Sequence, residues 1–204
     1  MEYKKNLIVI GIVVIIIILL IGGFIFLNKF HSSTQSPSNS QSDGENNIVG
    51  NTKTSIHKDF RAIILSDWQE IEGVPPSTFV YLPPKVNQED VEAEVISVAT
   101  TFLGDNKFTL DQLLEQGVEG SKKIIPDFEL TETAIWKGSN LQGKKIKFIG
   151  TQERIRRKSI QVFGIKYNIL YAITYSCPIN NCNHEDVFDN LIESFEPVNP
   201  EKND

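Results

Sequence analysis

Two cysteines, three histidines, one methionine and two tryptophans are all that this 204-residue chain contains of those types. So few thiols and imidazoles limit any metal centre to a small one. Positive charge is also short: 20 Lys and Arg stand against 26 Asp and Glu, a net charge of −6. A general nucleic-acid binder needs cations to displace counterions from phosphates, so no nucleic-acid partner is expected. There is no G-x-S-x-G elbow, no phosphate-binding loop and no His-rich metalloprotease helix. The acids are dispersed over helix starts and turns, and no two suggest a glycosidase-type pair. What is present is ordinary globular material, 40% hydrophobic and 23% charged, which fits neither a fully disordered chain nor a multi-span membrane protein.

The exception is the N-terminus. Residues 7–27 read LIVIGIVVIIIILLIGGFIFL, without a charge or a proline. At about 1.5 Å per residue this run covers the roughly 30 Å hydrocarbon layer of a bilayer. It exceeds the apolar core of a cleavable signal peptide and is followed by Asn28, Lys29, Phe30 and His31 rather than a small-residue cleavage pattern. An uncleaved signal-anchor is expected, signal-peptide removal near Gly22 or Gly23 being the alternative. Lys4 and Lys5 precede the span and only Lys29 follows closely, which places residues 1–6 in the cytoplasm and the rest outside it. Residues 1–30 carry +2 and the remainder −8, so the outer part should not lie flat on anionic lipid. Residues 28–57 are rich in Ser, Asn, Gln, Thr and Gly and should form a disordered polar tether.

Residues 58–197 form the expected domain, with 198–204 as a flexible tail. FRAIIL at 60–65, STFVYL at 77–82 and EAEVISVATTFL at 92–103 suit strands. Thr109 followed by Gln112 is a capping-box pattern opening a helix, which Gly117 and Gly120 should end. FELTETAIW at 128–136, KIKFI at 145–149, residues 159–163 and YNILYAITY at 167–175 complete the strands, with Gly138, Gly143 and Gly164 marking turns. Links this short favour antiparallel hairpins over parallel crossovers. Asn183 is the expected N-cap of a last helix, whose Val187, Phe188, Leu191, Ile192 and Phe195 recur at helical spacing before Pro197.

The order of VISVATTFL, TLDQLL, the paired strands, NILYAITYS and a helix ending LIESFEP resembles the PsbP/Mog1-type α/β/α sandwich, in particular the PsbP-like domains of membrane-tethered extracytoplasmic proteins. The resemblance covers about two-thirds of the chain, and its motifs are packing motifs. Ser194 and Phe195 read within it as helix-end core contacts. The fold class it implies is α+β, an antiparallel β-sheet flanked by helices, here preceded by one transmembrane helix. That family includes a photosystem II subunit and a Ran-binding transport factor, so fold alone does not fix activity. The resemblance implies a non-catalytic binding or assembly module. For a domain tethered outside the membrane, the expected partner is an envelope protein complex or a small ligand.

Few residues stand out as chemical candidates. Cys177 and Cys182 bracket CPINNC, with His184 two residues on. An extracytoplasmic compartment and an even count favour a disulfide. The alternative is a zinc site from Cys177, Cys182 and His184, whose donor types suit that metal but lack a recognisable fourth ligand. No other cofactor is indicated. Arg154, Arg156, Arg157 and Lys158 form a local basic cluster: either a solvated hairpin or a patch for an anionic partner, which Lys144, Lys145 and Lys147 could extend. Trp68 and Trp136 are expected in the core, and His57, at the tether boundary, in solvent. An envelope hydrolase with an unrecognised site is the rival to the binding module.

Overall fold

The computed structural model describes residues 51–72, 77–86, 90 and 92–199. The expected cytoplasmic N-terminus (1–6), transmembrane span (7–27), most of the tether and residues 200–204 lie outside the described residues. Among the described residues no helix is long and apolar enough to cross a membrane.

Among the described residues, ten strands and two helices follow one another as β1 (Thr52–Ile56), β2 (Phe60–Leu65), β3 (Gln69–Glu72), β4 (Ser77–Leu82), β5 (Val95–Phe102), α1 (Leu110–Ile124), β6 (Glu129–Lys137), β7 (Gln142–Gln152), β8 (Ile155–Lys166), β9 (Ile169–Pro178), α2 (Glu185–Ser194) and β10 (Glu196–Pro197). β3 to β9 make one antiparallel sheet ordered β3-β4-β5-β9-β8-β7-β6, and β1-β2-β10 make a second, smaller one. Strand alternation sends Ile96, Val98, Ile160, Tyr171 and Tyr175 to one face of the large sheet, where they pack with α2 and the small sheet. Ala99, Phe163, Leu170 and Ala172 point to the other face, beneath Leu113 of α1. The result is three layers with the large sheet in the middle.

Local signals set several of these elements. Thr109 caps α1 as expected: its hydroxyl accepts the Gln112 N–H at 3.2 Å, and its own N–H donates to Gln112 Oε1 at 3.0 Å. The apolar stripe of α2 is buried through Val187, Phe188, Leu191 and Ile192, with Phe195 stacked on Phe60. Ser194 does more than pack at the helix end, since its hydroxyl accepts the Ile63 N–H at 3.0 Å. Pro197 lies in β10, opposite Phe60.

Other expectations need correction. The domain begins earlier than residue 58, because the last residues assigned to the tether form β1, in register from Thr52 opposite Leu65 to Ile56 opposite Arg61. A strand solvated on one face can be almost wholly polar and still satisfy its backbone groups through its neighbour. Nor does α1 stop at its glycines: Gly117 and Gly120 are buried against the sheet, and the helix runs on to Ile124. It ends where Ile125 adopts extended dihedrals before Pro126, the conformation that a following proline favours. Asn183 is not the N-cap of α2; His184 holds that position and makes no side-chain capping bond. At the C-terminal tail, Val198 N–H donates to Asp59 O at 2.8 Å, so the tail begins as ordered structure.

Gly143 and Gly164 are not turn residues either. They lie opposite each other inside the β7–β8 pair, where a Cβ on Gly143 would fall 2.0 Å from the Phe163 carbonyl oxygen. The turn after β8 is instead Tyr167–Asn168, both with positive φ (52° and 59°), the backbone of a two-residue hairpin matched to strand twist. We expect Gly143→Ala to destabilise the domain by on the order of 3 kcal/mol or to prevent folding, because backbone must move to admit the methyl group. Gly104→Ala, where a Cβ meets nothing within 4 Å but φ is +60°, should cost only about 1 kcal/mol. Urea denaturation of both variants checks the difference.

Candidate functional site

The expected sulfur and imidazole group sits where β9 runs into α2. Cys177, the penultimate residue of β9, is joined to Cys182 as a disulfide. Both sulfurs are therefore engaged with each other and supply no thiolate to a metal. Among the described residues no group of three or more His, Cys, Asp or Glu is arranged to hold one. The zinc reading of Cys177, Cys182 and His184 thus gives way to the disulfide.

His184 is used differently. Its Nδ1 lies 3.0 Å from the Glu94 carboxylate, just before β5, and its ring stands edge-on to Trp68 at 5.3 Å. Glu94 is only 4% exposed. It accepts the backbone N–H groups of Asn183 (2.9 Å) and His184 (3.1 Å) and the Tyr175 hydroxyl (2.6 Å). This carboxylate, from the residue just before β5, therefore fixes the turn that leads into α2 and sets its charge near the positive end of the helix dipole. Burial pushes the Glu94 carboxyl up, but the bonds from Tyr175, Asn183 and His184 outweigh it and hold the group below the ordinary carboxylate range.

The basic cluster does not form one patch. Arg154 occupies the two-residue β7–β8 turn with positive φ, and the others lie on β8, where successive side chains point to opposite faces. Arg157 turns inward and is 6% exposed. Its guanidinium donates to Ala93 O (2.7 Å), Ser176 Oγ (2.9 Å) and Ser176 O (3.0 Å), which ties the start of β5 to β8 and β9. Lys158 pairs with Glu185 at 2.7 Å, and Arg156 lies near Asp127 and Glu129. Lys144, Lys145 and Lys147 pair with Asp111, Asp189 and Glu132.

A second polar group went unrecognised in the sequence. His57 is not solvated: its side chain is 8% exposed and stacks on Phe79 with ring centroids 3.4 Å apart. Its Nε2 meets Ser55 Oγ at 2.5 Å, Glu70 Oε1 at 3.1 Å and Tyr81 Oη at 3.3 Å. Burial pushes Glu70 up, yet His57, Ser55 and Lys53 together hold it below its ordinary range. Burial also raises Tyr81 well above the usual phenol, so it remains protonated at neutral pH. Serine, histidine and glutamate suggest a hydrolytic triad, but both oxygens address the same ring nitrogen. A relay needs the carboxylate on Nδ1 and the nucleophile on Nε2. The group instead clasps β1 of the small sheet to β3 and β4 of the large one. Ser55-x-His57, at strand spacing, was the one local sign of it.

Trp68 is buried and Trp136 half-buried against the same core, as expected. A cavity of about 30 Å³ lies between α1 and the large sheet. Its wall is mainly Leu113, Val118, Phe128, Phe148 and Phe163, with Ser121 and Gln161 as polar members. That volume suits one or two water-sized groups rather than a substrate.

Residues 10–196 match the protein family described as PsbP-like protein. No curated protein matches the sequence. The fold is similar to that of cyanobacterial PsbP (CyanoP) from Synechocystis, at 13% identity and a TM-score of 0.53, over 78% of this chain and 98% of that one. It is also similar to LpqN of Mycobacterium tuberculosis, a protein involved in cell envelope biogenesis, at 8% identity and a TM-score of 0.50, over 74% and 87% of the two chains.

Because Glu94 and Glu70 are both held below the ordinary value of 4.5, their stabilisation is complete above that value. It is lost as pH falls through the lower folded-state values, where the folded protein must take up protons last. Glu94→Gln should cost about 2 kcal/mol at neutral pH, since one amide face opposes the N–H donors of the α2 start. It should also flatten the fall of stability below pH ~4.5. Urea midpoints measured across that range test both effects. Replacing Cys177 and Cys182 by Ser should cost about 2 kcal/mol, the amount expected for closing so short a loop, and reductant should reproduce it in the unmodified protein.

Proposed function

Starting from the chain's membership of the PsbP-like protein family, we propose that it is a membrane-tethered, extracytoplasmic binding or assembly module without catalytic activity. One observation carries the reading. The convergent acid, imidazole and hydroxyl groups around Glu94 and around His57 are both used to join structural elements, and neither group lines the small cavity between α1 and the large sheet. Such side chains fix a shape rather than perform a reaction, and shape is what a partner surface recognises.

Three further features support the placement. Residues 7–27 have the length and composition of a bilayer-spanning helix, and Lys4 and Lys5 favour a cytoplasmic N-terminus. The disulfide suits an oxidising, extracytoplasmic compartment. The involvement of LpqN in cell envelope biogenesis makes an envelope protein complex the preferred partner. The mechanism is confinement: a domain held near the bilayer meets membrane partners at high effective concentration, so weak contacts suffice.

The full-length chain should stay with membranes through alkaline carbonate extraction, and its domain should be digested by protease added to the outside of intact cells. Crosslinking in those membranes should capture envelope proteins, and deletion of residues 1–30 should abolish the capture while leaving the domain folded. Recovery of the full-length chain in the soluble fraction overturns the anchor. Undiminished capture after the deletion overturns the mechanism of confinement.

A further inference from the structure

One end of the large sheet carries side chains that neither polar group uses. There Leu103 N–H donates to Asn168 O at 2.9 Å and the Asn168 amide reaches Gly104 O, so the β5–α1 loop and the β8–β9 turn form one surface. Lys166 Nζ donates to Asn140 O at 2.7 Å, which adds the β6–β7 loop. The β1–β2 hairpin joins through Asp59, whose carboxylate accepts the Thr100 hydroxyl and whose carbonyl accepts that of Tyr171, both at 3.1 Å. From this end Phe102 projects with 70% of its surface exposed and Tyr167 with 43%. Lys166 Nζ lies 5.3 Å from the centre of the Tyr167 ring.

Four lysines, Lys58, Lys107, Lys137 and Lys166, lie on these loops or at their edges. None of them has an ion-pair partner among the described residues, whereas Lys144, Lys145, Lys147 and Lys158 on the body of the sheet each have one. The acids on the same loops and edges are Asp59, held by Thr100, Asp105, and Asp111, which pairs with Lys144. A basic, aromatic end thus sits on a domain whose total charge is strongly negative.

We propose that this end is an interfacial docking tip, which seats Phe102 and Tyr167 among the headgroups of an anionic bilayer while the four lysines meet lipid phosphate or carboxylate. Tyr167, a ring with one polar edge, settles at headgroup depth, the wholly apolar Phe102 enters the headgroup–acyl boundary, and lysine stems lie along that boundary with the ammonium in water. Each lysine near an anionic surface contributes an attraction that the acidic remainder of the domain opposes, so docking is end-on. The inference rests on the anchored reading. The chain enters the domain at the opposite end of β5, where Lys53 Nζ bonds Trp68 O and Trp68 faces His184. The domain is roughly 40 Å long along β8 at the usual strand rise. A coil of the length of residues 28–51 has a mean reach of about 25–30 Å and a limit on the order of 80 Å, so the tip can turn back to the bilayer.

The test uses full-length chain in vesicles of phosphatidylcholine and phosphatidylserine with brominated acyl chains, comparing Phe102→Trp with Ile179→Trp. Ile179 is an exposed apolar residue beside the disulfide, at the far end. The excess fluorescence of Phe102→Trp over the native tryptophans should be quenched and that of Ile179→Trp should not. Adding Lys107→Gln and Lys166→Gln should lower the docked-to-undocked ratio on the order of thirty-fold. Equal quenching of the two tryptophans overturns the tip. Quenching that persists in brominated phosphatidylcholine alone overturns its assignment to anionic headgroups. Shielding of position 102 in native membranes but not in protein-free vesicles assigns the end to a protein partner and overturns the lipid one. Flotation of the vesicles reads the anchor separately: a chain that fails to float overturns both readings, while one that floats with Phe102→Trp unquenched overturns the tip alone.

Discussion

β9 is buried along nine of its ten residues, on both of its faces, and that constraint organises the rest of the molecule. A strand so largely apolar and buried on both faces cannot sit at a sheet edge or face water, so it must be central and covered twice. β5 and β8 flank it, and α1 covers one face through Leu113. The ten residues of α2 are too few to cover the other face of a seven-stranded sheet. The small sheet β1-β2-β10 fills the remainder, with Phe60, Ile64 and Phe195 in the same core as Tyr171 and Tyr175. The family's sandwich is thus completed on one side by a mixed layer of helix and strands.

The seams of that mixed layer are where polar groups are buried. Glu94 fastens the start of α2 to β5 and β9, and His57 fastens β1 to β3 and β4. Each would be costly if left unpaired, so each specifies one arrangement of neighbouring layers. A buried imidazole, carboxylate and hydroxyl in contact therefore indicate a joint between sheets here. Chemistry would require a different division of partners between the two ring nitrogens and an opening to solvent. The exposed aromatic end, by contrast, has no structural work assigned to it within the domain.

How much of this was legible depended on how far apart the interacting residues lie in the chain. The capping box at Thr109, the apolar stripe of α2 and the paired cysteines are each local, and each is where the sequence pattern placed it. Alternation and apolar runs also locate β2, β4 and β5 to β9, but not β1, β3 or β10. A glycine needed for close strand approach, as at 143 and 164, looks in isolation like one needed for a turn. The polar composition of β1 is that of a tether, and only its partner β2 shows why it is ordered. Nothing local marks His57 as buried, because its aromatic and acidic neighbours come from β2, β3 and β4. Arg157 looked like one charge of four until strand alternation turned it inward to Ala93 O and Ser176.

The small sheet draws its strands from both extremities of the domain, since β10 pairs with β2 through Glu196 opposite Arg61 and Pro197 opposite Phe60. A ribosome delivers those two strands at widely separated moments. The layer over Phe60 thus stays unfinished until the last of the domain has been synthesised, and loop-closure entropy makes that pairing a late event. The domain closes like a clasp whose second half is manufactured last, so a nascent chain cut short would keep its central sheet but expose the aromatic rings that β10 and Phe195 otherwise cover.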